Sequence, residues 1–160
     1  MRRFDVVVAG AGGMGTAAAA HLARRGAGVL ALDRFPVGHA RGSSHGQTRL
    51  IRLAHGAVFE HGVAVRDWRV VGNDVLVETE REVISADRLV LCPGPWASDL
   101  LHLTEPTFTV LRKSLFWYDP AAGSLGSAAA AALPCFAFDT PTGFFYGFPA
   151  IAGRGIKVAE

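Results

Sequence analysis

The stretch FDVVVAGAGGMGTAAAAHLARRGAGVLALD, residues 4–33, decides the fold. FDVVVAG is a short, β-branched, continuously apolar run that stops at glycine, which suits a strand covered on both faces in a parallel sheet. GMGTAAAAHLARRG follows with strong helix formers and a closing Gly26, and VLALD supplies a second buried strand. The unit is βαβ, and the expected class is α/β with a parallel sheet.

Between the first strand and the helix, Gly10, Gly12 and Gly15 stand in G-x-G-x-x-G spacing within GAGGMG. Gly10 permits the tight turn, Gly12 lets the backbone approach a pyrophosphate, and Gly15 lets the helix pack closely on the strand. The helix N-terminus then offers N–H groups and the positive end of its dipole to phosphates, with Gly13 and Met14 in the same turn. Asp33 ends the second strand at the right distance to accept hydrogen bonds from a ribose, with Arg34 directly after it. Glycine is frequent here, 19 residues in all, so the spacing alone is weak. Placed between strand and helix, with an acid at the end of the second strand, it reads as a Rossmann-like dinucleotide site. It does not separate NAD from FAD.

Composition bounds the partners. At 160 residues and 50% hydrophobic, the chain can bury a core, since folds of about 150 residues bury roughly 70% of their unfolded surface. Lys and Arg number 16 against 14 Asp and Glu, a net charge of +2 that gives no reason to expect nucleic acid or an anionic membrane. Cys92 and Cys135 have neither zinc-ligand nor redox-dithiol spacing, and read as two small, semi-buried thiols in a reducing compartment. Met1-Arg2-Arg3 before apolar residues imitates a signal peptide, but Asp5 and the glycines from Gly10 interrupt the apolar run. No run approaches the ~18 apolar residues of a membrane helix. A soluble, cytoplasmic protein is expected.

The next segment, GSSHGQTRLIRLAH, residues 42–55, joins the small residues Gly42, Ser43 and Ser44 to His45, Arg49 and Arg52. The spacing of the two arginines brings them near one helical face, and by itself this fits a solvated basic helix as well as a cofactor-binding segment. With the preceding residues, Phe4 to His55 resembles without gaps the start of monomeric sarcosine oxidase and N-methyltryptophan oxidase, within the glycine oxidase and D-amino acid oxidase family. The resemblance disfavours an NAD-dependent dehydrogenase. It implies an FAD site with Asp33 on the adenosine ribose, Gly42 and Ser43 along the cofactor beside Ser44, and His45 and Arg49 close to the flavin ring. A cation there would stabilise the negative charge of a reduced flavin. Arg52 corresponds to the arginine that holds the substrate carboxylate, a task for which the planar guanidinium fork is suited.

After His55 the family would continue through a domain-sized piece of about a hundred residues. Here GAVFEHGVAVRDWRVVGNDVLVETEREVISADRLVLCPGPWASDLL begins at Gly56 and resembles a later part of the family, so a deletion junction is expected near 55/56. Taken as residues, GVAVRDWRVV, DVLVETE and EVISADRLVLC are three β-rich runs, the first two joined by turn chemistry at GND. They suit a small antiparallel extension leading back into a buried parallel strand, RLVLC. By resemblance, the backbone around Val65 is the adenine contact, and Gly94 and Trp96 in PGPW match a corner where a strand ends beside the cofactor. The family usually has alanine where Pro95 stands, and proline removes an N–H that could reach the flavin. Trp96 reads equally as core filler.

From Thr107, TFTVLRKSLFWYD alternates as a long strand with one solvated face. PAAGSLGSAAAAALP is an alanine-glycine stretch suited to a loop with a helical turn. CFAFD, the turn TPTG and GFFYGFP form a hairpin, followed by GRGIKVAE. These resemble part of the family's substrate-domain sheet. Lys157, one of two lysines with Lys113, matches the family lysine over the flavin that promotes reaction with oxygen by stabilising superoxide character. Tyr146 matches an aromatic lining the substrate pocket. A solvated strand lysine and a buried aromatic are the competing readings.

The expected organisation is an FAD-binding domain over 1–104 and a partial substrate-binding domain over 105–160. The resemblance implies noncovalent FAD, because neither cysteine matches the family's attachment site, and oxidation of a C–N bond of an amine or amino acid by O2 to imine and hydrogen peroxide. It also implies active-site segments beyond Glu160 and within the junction that this sequence lacks, so weak or no turnover is expected. The alternative is a nonenzymatic remnant or minimal FAD/ADP-binding module. Strand edges left open by the missing segments favour self-association.

Overall fold

The computed structural model describes residues 1–43, 56–101, 108–119, 127–150 and 155–160. They form two units, Met1–Thr109 and Val110–Glu160.

In the first unit β1 (Arg3–Ala9) is central, pairing in parallel with β2 (Val29–Asp33) on one side. Helix α1 (Gly13–Arg24) connects them. All five residues of β2 and Val6 to Ala9 of β1 are buried, which is why both runs are apolar without alternation. The next strand is β3 (Val58–His61), parallel to β2. Nothing in VFEH marked it as a strand, because four residues ending in Glu60 and His61 are too few to show a period.

The strands β4 (Val65–Val71) and β5 (Asp74–Thr79) then form the expected hairpin about Gly72 and Asn73. Strand β6 (Val83–Leu91) runs antiparallel to β5 over Val83 to Ala86 and parallel to β1 up to Leu91. The sheet order is β3-β2-β1-β6-β5-β4. Parallel neighbours need a crossover of about a dozen residues or more, and residues 34–57 supply it. The sheet is thus assembled across position 55/56.

One expectation is corrected. In the second half of β6, RLVL, Arg88 is exposed and Leu89, Val90 and Leu91 are half-buried rather than buried. Helix α1 packs mainly on β1 and β2, so its cover does not extend over β6.

The far end of this sheet is tied by Arg2 and Arg3. Arg2 donates to Glu60 at 2.5 and 3.3 Å and to Glu82 at 2.5 Å, joining β1 to β3 and to the start of β6. Arg3 donates to both oxygens of Asp74 at 2.7 and 3.0 Å and to Asp87. The hydrogen bond from Arg2 holds the Glu60 carboxyl below the usual carboxylate range. A depressed folded-state value means that the stabilisation is present above the unfolded value, about 4.3, and is lost as pH falls through the folded one. The stability gap between the parent chain and Glu60→Gln, measured by urea unfolding, should therefore be open at neutral pH and close as pH falls through that window. A gap constant with pH would remove the Arg2–Glu60 pair from the account.

After β6 a 3₁₀ turn, Gly94–Trp96, leads into the short helix α2 (Ala97–Leu100), and Trp68 of β4 donates its indole N–H to Leu100 O at 2.7 Å.

The second unit is an antiparallel sheet of order β7-β10-β9-β8, with β7 Leu115–Tyr118, β8 Phe136–Thr140, β9 Gly143–Phe148 and β10 Ile156–Ala159. Helix α3 (Ser127–Ala132) lies between β7 and β8 in the chain, and Ala150 N–H donates to Ala130 O at 2.9 Å. The hairpin expected over CFAFD and GFFYGFP is β8–β9. The long strand expected from Thr107 is not present over the described residues, because the ladder covers only Leu115 to Tyr118. The partner β10 offers four residues, so alternation in TVLRKS finds nothing to pair with. No helix among the described residues is long and apolar enough to cross a membrane.

Candidate functional site

The carboxyl end of β1 is where the chain turns one way through α1 to β2 and where β6 arrives on the other side. Crevices at such switch points are where open parallel sheets bind ligands. Gly10 sits there at φ +98°, donating its N–H to Leu32 O at 2.8 Å. A Cβ on Gly10 would lie 2.2 Å from Cys92 O, and one on Gly15 would lie 1.7 Å from Gly10 O. These two glycines are required by backbone packing. Gly12, Gly13 and Met14 are exposed at the helix start. The N-cap of helix α1 is Gly12, which has no capping side chain, and the first turn of the helix contains no acid.

Asp33 is buried, 7% exposed, and is held from two directions. Its Oδ2 accepts the N–H of Ala11 at 2.9 Å and its Oδ1 accepts the N–H of Phe35 at 2.9 Å. The carboxylate therefore braces the glycine turn against the loop that follows β2. Each oxygen retains a further lone pair for a ribose hydroxyl. Val63 N–H donates to Asp33 O at 2.9 Å, which brings the segment leading into Val65 to the same end of the sheet.

Around Asp33 is an aromatic and cationic cluster. Phe35 packs on His39 at 4.8 Å and on Trp96 at 5.2 Å between ring centroids, and the Arg34 guanidinium lies 5.2 Å from the Trp96 ring and 5.4 Å from the Phe35 ring. Arg41 covers Phe35 at 5.4 Å, and His39 Nε2 is 3.7 Å from Asp33 Oδ1. Gly94 at φ +59° makes the 3₁₀ turn that presents Trp96 to this cluster. Cys92 lies beside the glycine turn, and burial pushes its thiol up, which keeps it protonated. Phe35, His39 and Arg41 were not singled out from sequence. Their signal was closeness to Asp33 within a loop of glycine and proline.

The structure thus brings together Gly10, Gly12, Gly13, Met14, Gly15, Asp33, Arg34, Trp96 and the approach to Val65. Gly42 is half-buried and Ser43 exposed. Ser44, His45, Arg49 and Arg52 lie outside the described residues. In the second unit, register places Tyr146 opposite Ala159 and Lys157 opposite Phe148 and Trp117, so Tyr146 and Lys157 project from one face of that sheet. The Lys157 ammonium is 5.2 Å from the Phe148 ring and 5.9 Å from the Trp117 ring, and Tyr146 meets Phe148 edge-on at 6.2 Å. Among the described residues no group of three His, Cys, Asp or Glu could hold a metal ion.

Residues 5–55 match the family described as FAD dependent oxidoreductase. The chain is 24% identical to monomeric sarcosine oxidase of Streptomyces avermitilis over 266 positions, covering 98% of this chain and 69% of that protein. An alignment of 266 positions cannot be filled by 160 residues, so that relative carries a stretch without counterpart here. Over 53 residues the chain is 55% identical to probable sarcosine oxidase of Arabidopsis thaliana, which covers 33% of this chain and 13% of that protein. The fold is similar to an open form of a NikD mutant, an unusual amino acid oxidase essential for nikkomycin biosynthesis, with TM-score 0.65 and 17% identity over 99% of this chain and 69% of that one.

Proposed function

We propose that this chain, of the sarcosine oxidase type of FAD-dependent oxidoreductase, holds FAD noncovalently on its first unit and oxidises a C–N bond of an amino acid or N-methyl amino acid with O2. The products are the imine and hydrogen peroxide. The observation that carries the cofactor assignment is the wedged Gly10–Gly15 turn at a helix start with no acid in its first turn, with the Asp33 carboxylate at the neighbouring strand end. Such a helix start binds phosphate through its backbone N–H groups and dipole. When bound, the flavin accepts a hydride equivalent from the substrate and passes two electrons to O2.

The residues of the chain supply positioning and charge. Gly12, Gly13 and Met14 face the pyrophosphate, Asp33 takes the ribose, and Arg34 with Trp96 borders the cofactor. Val65 and its neighbours meet the adenine, and Gly42, Ser43 and Ser44 follow the cofactor along the crevice. His45 and Arg49 favour negative charge on the ring, Arg52 orients the substrate carboxylate, Tyr146 lines the pocket, and the Lys157 ammonium stabilises charge on reducing oxygen. In this reading the stretch absent relative to the Streptomyces protein falls at 55/56, and activity is weak.

A second reading, an FAD- or ADP-binding module without turnover, is favoured by the same absent stretch together with a nucleotide sheet whose six strands nonetheless assemble. One experiment separates the two. The purified chain is mixed with FAD, desalted, and its visible spectrum recorded, then assayed for peroxide with sarcosine and other N-methyl amino acids. Retained flavin with peroxide supports the oxidase, retained flavin alone supports the module, and a colourless protein overturns the oxidase and any flavin-holding module.

A further inference from the structure

We propose that two copies of this chain associate through β7, pairing antiparallel about a twofold axis at Phe116 to join their four-stranded sheets into one of eight. This goes beyond the oxidase reading and does not depend on it. Among the described residues, strand β7 is an edge of its sheet, hydrogen-bonded on one side to β10. An edge strand presents unpaired N–H and C=O groups that template pairing unless charge, proline or a bulge prevents it.

The other edges carry such protection. Strand β4 has Arg66, Asp67 and Arg69 and a register shift between Val65 and Asp67, β3 has Glu60 and His61, and β8 has Asp139. Strand β7 has none of these. Its four residues, Leu115, Phe116, Trp117 and Tyr118, are 46, 54, 40 and 55% exposed, so apolar surface is open on both faces of the strand.

What selects a second copy as the occupant is the charge pattern at the two ends of the strand. Lys113 precedes it and Asp119 follows it, both exposed. Antiparallel pairing with Phe116 opposite its own counterpart sets Leu115 opposite Trp117, Ser114 opposite Tyr118, and Lys113 opposite Asp119. The twofold axis makes each pairing occur twice, as an isologous contact requires. Opposite charges directly across a ladder are favourable, and apolar and aromatic neighbours add to them. Phe116 and Tyr118, with ring centroids 6.2 Å apart, also border a groove with Leu111, Phe145 and Val158. In the paired sheet the two grooves lie on the same face and meet at the axis.

The test is sedimentation of the full 160-residue chain and its charge variants. The unsubstituted chain should show a concentration-dependent monomer–dimer equilibrium. Lys113→Asp alone and Asp119→Lys alone each set two like-charge pairs across the axis and should weaken the dimer about tenfold. The double variant restores both pairs and should return to within about threefold of the parent. Lys113 also lies 3.5 Å from Glu160 in its own chain, a contact the second substitution cannot restore, so recovery reports pairing between copies. As a check on register, Phe116→Cys should crosslink under mild oxidation well beyond the background from Cys92 and Cys135, since opposed antiparallel residues fall within disulfide reach. A parent chain monomeric at about 100 μM overturns the proposal. So does growth beyond dimers, a double variant no better than the singles, or Phe116→Cys at background.

Discussion

Gly10→Ala should leave the first unit destabilised by roughly 3 kcal/mol or more and without retained flavin. The added Cβ would lie 2.2 Å from Cys92 O and 3.2 Å from Pro93 Cα, both backbone atoms that cannot rotate away. The backbone at φ +98° adds the left-handed penalty of an L-residue. Relief requires β1 and β6 to part at their carboxyl ends, which moves the turn proposed above to face the cofactor. Gly26→Ala is the control, because Gly26 has φ +89° and open space around the position of its Cβ. It should cost only the conformational part, about 1–2 kcal/mol, and keep the flavin. Urea unfolding followed by far-UV circular dichroism gives the stabilities, and absorbance after desalting gives retention. Equal losses for the two variants would mean that the Gly10–Cys92 contact does not shape the site.

The residues that could be read from sequence are those whose environment repeats along the chain. Val6 to Ala9 and Val29 to Asp33 are buried on both faces, so they are written as unbroken apolar runs, and the glycines between them have a spacing imposed by packing. The β4–β5 hairpin was readable because its turn is marked by Gly72 and Asn73.

What failed did so for lack of a local signal. VFEH became β3 because β2 had a free edge, a fact about the sheet rather than about four residues. FTVLRKS alternates like a strand but meets no partner among the described residues, since β10 is short. The shared face of Tyr146 and Lys157 follows from the register of β9 against β10, and a slip of one residue there would set them on opposite faces. Asp33 was legible as the acid that ends β2, yet its two backbone partners were not, because they depend on how Ala11 and Phe35 turn.

Those partners lead to the second large effect. Asp33→Ala should destabilise the protein even when no cofactor is bound, by roughly 2–4 kcal/mol. The substitution removes both acceptors at once, leaving the N–H groups of Ala11 and Phe35 unpaired at a side chain only 7% exposed. Asp33→Asn keeps one acceptor oxygen and presents an NH2 to the other donor, so it should fall between parent and alanine variant. If the carboxylate served a ribose alone, both variants would lose flavin affinity while the apoprotein unfolded as the parent does. The bracing geometry requires that stability and affinity fall together and in the same order, Asn before Ala. Urea unfolding of the three apoproteins, set beside their flavin retention, decides between these outcomes: a stable Asp33→Ala apoprotein would reduce Asp33 to a ligand contact, whereas a graded loss makes it the residue through which the fold prepares its own nucleotide turn.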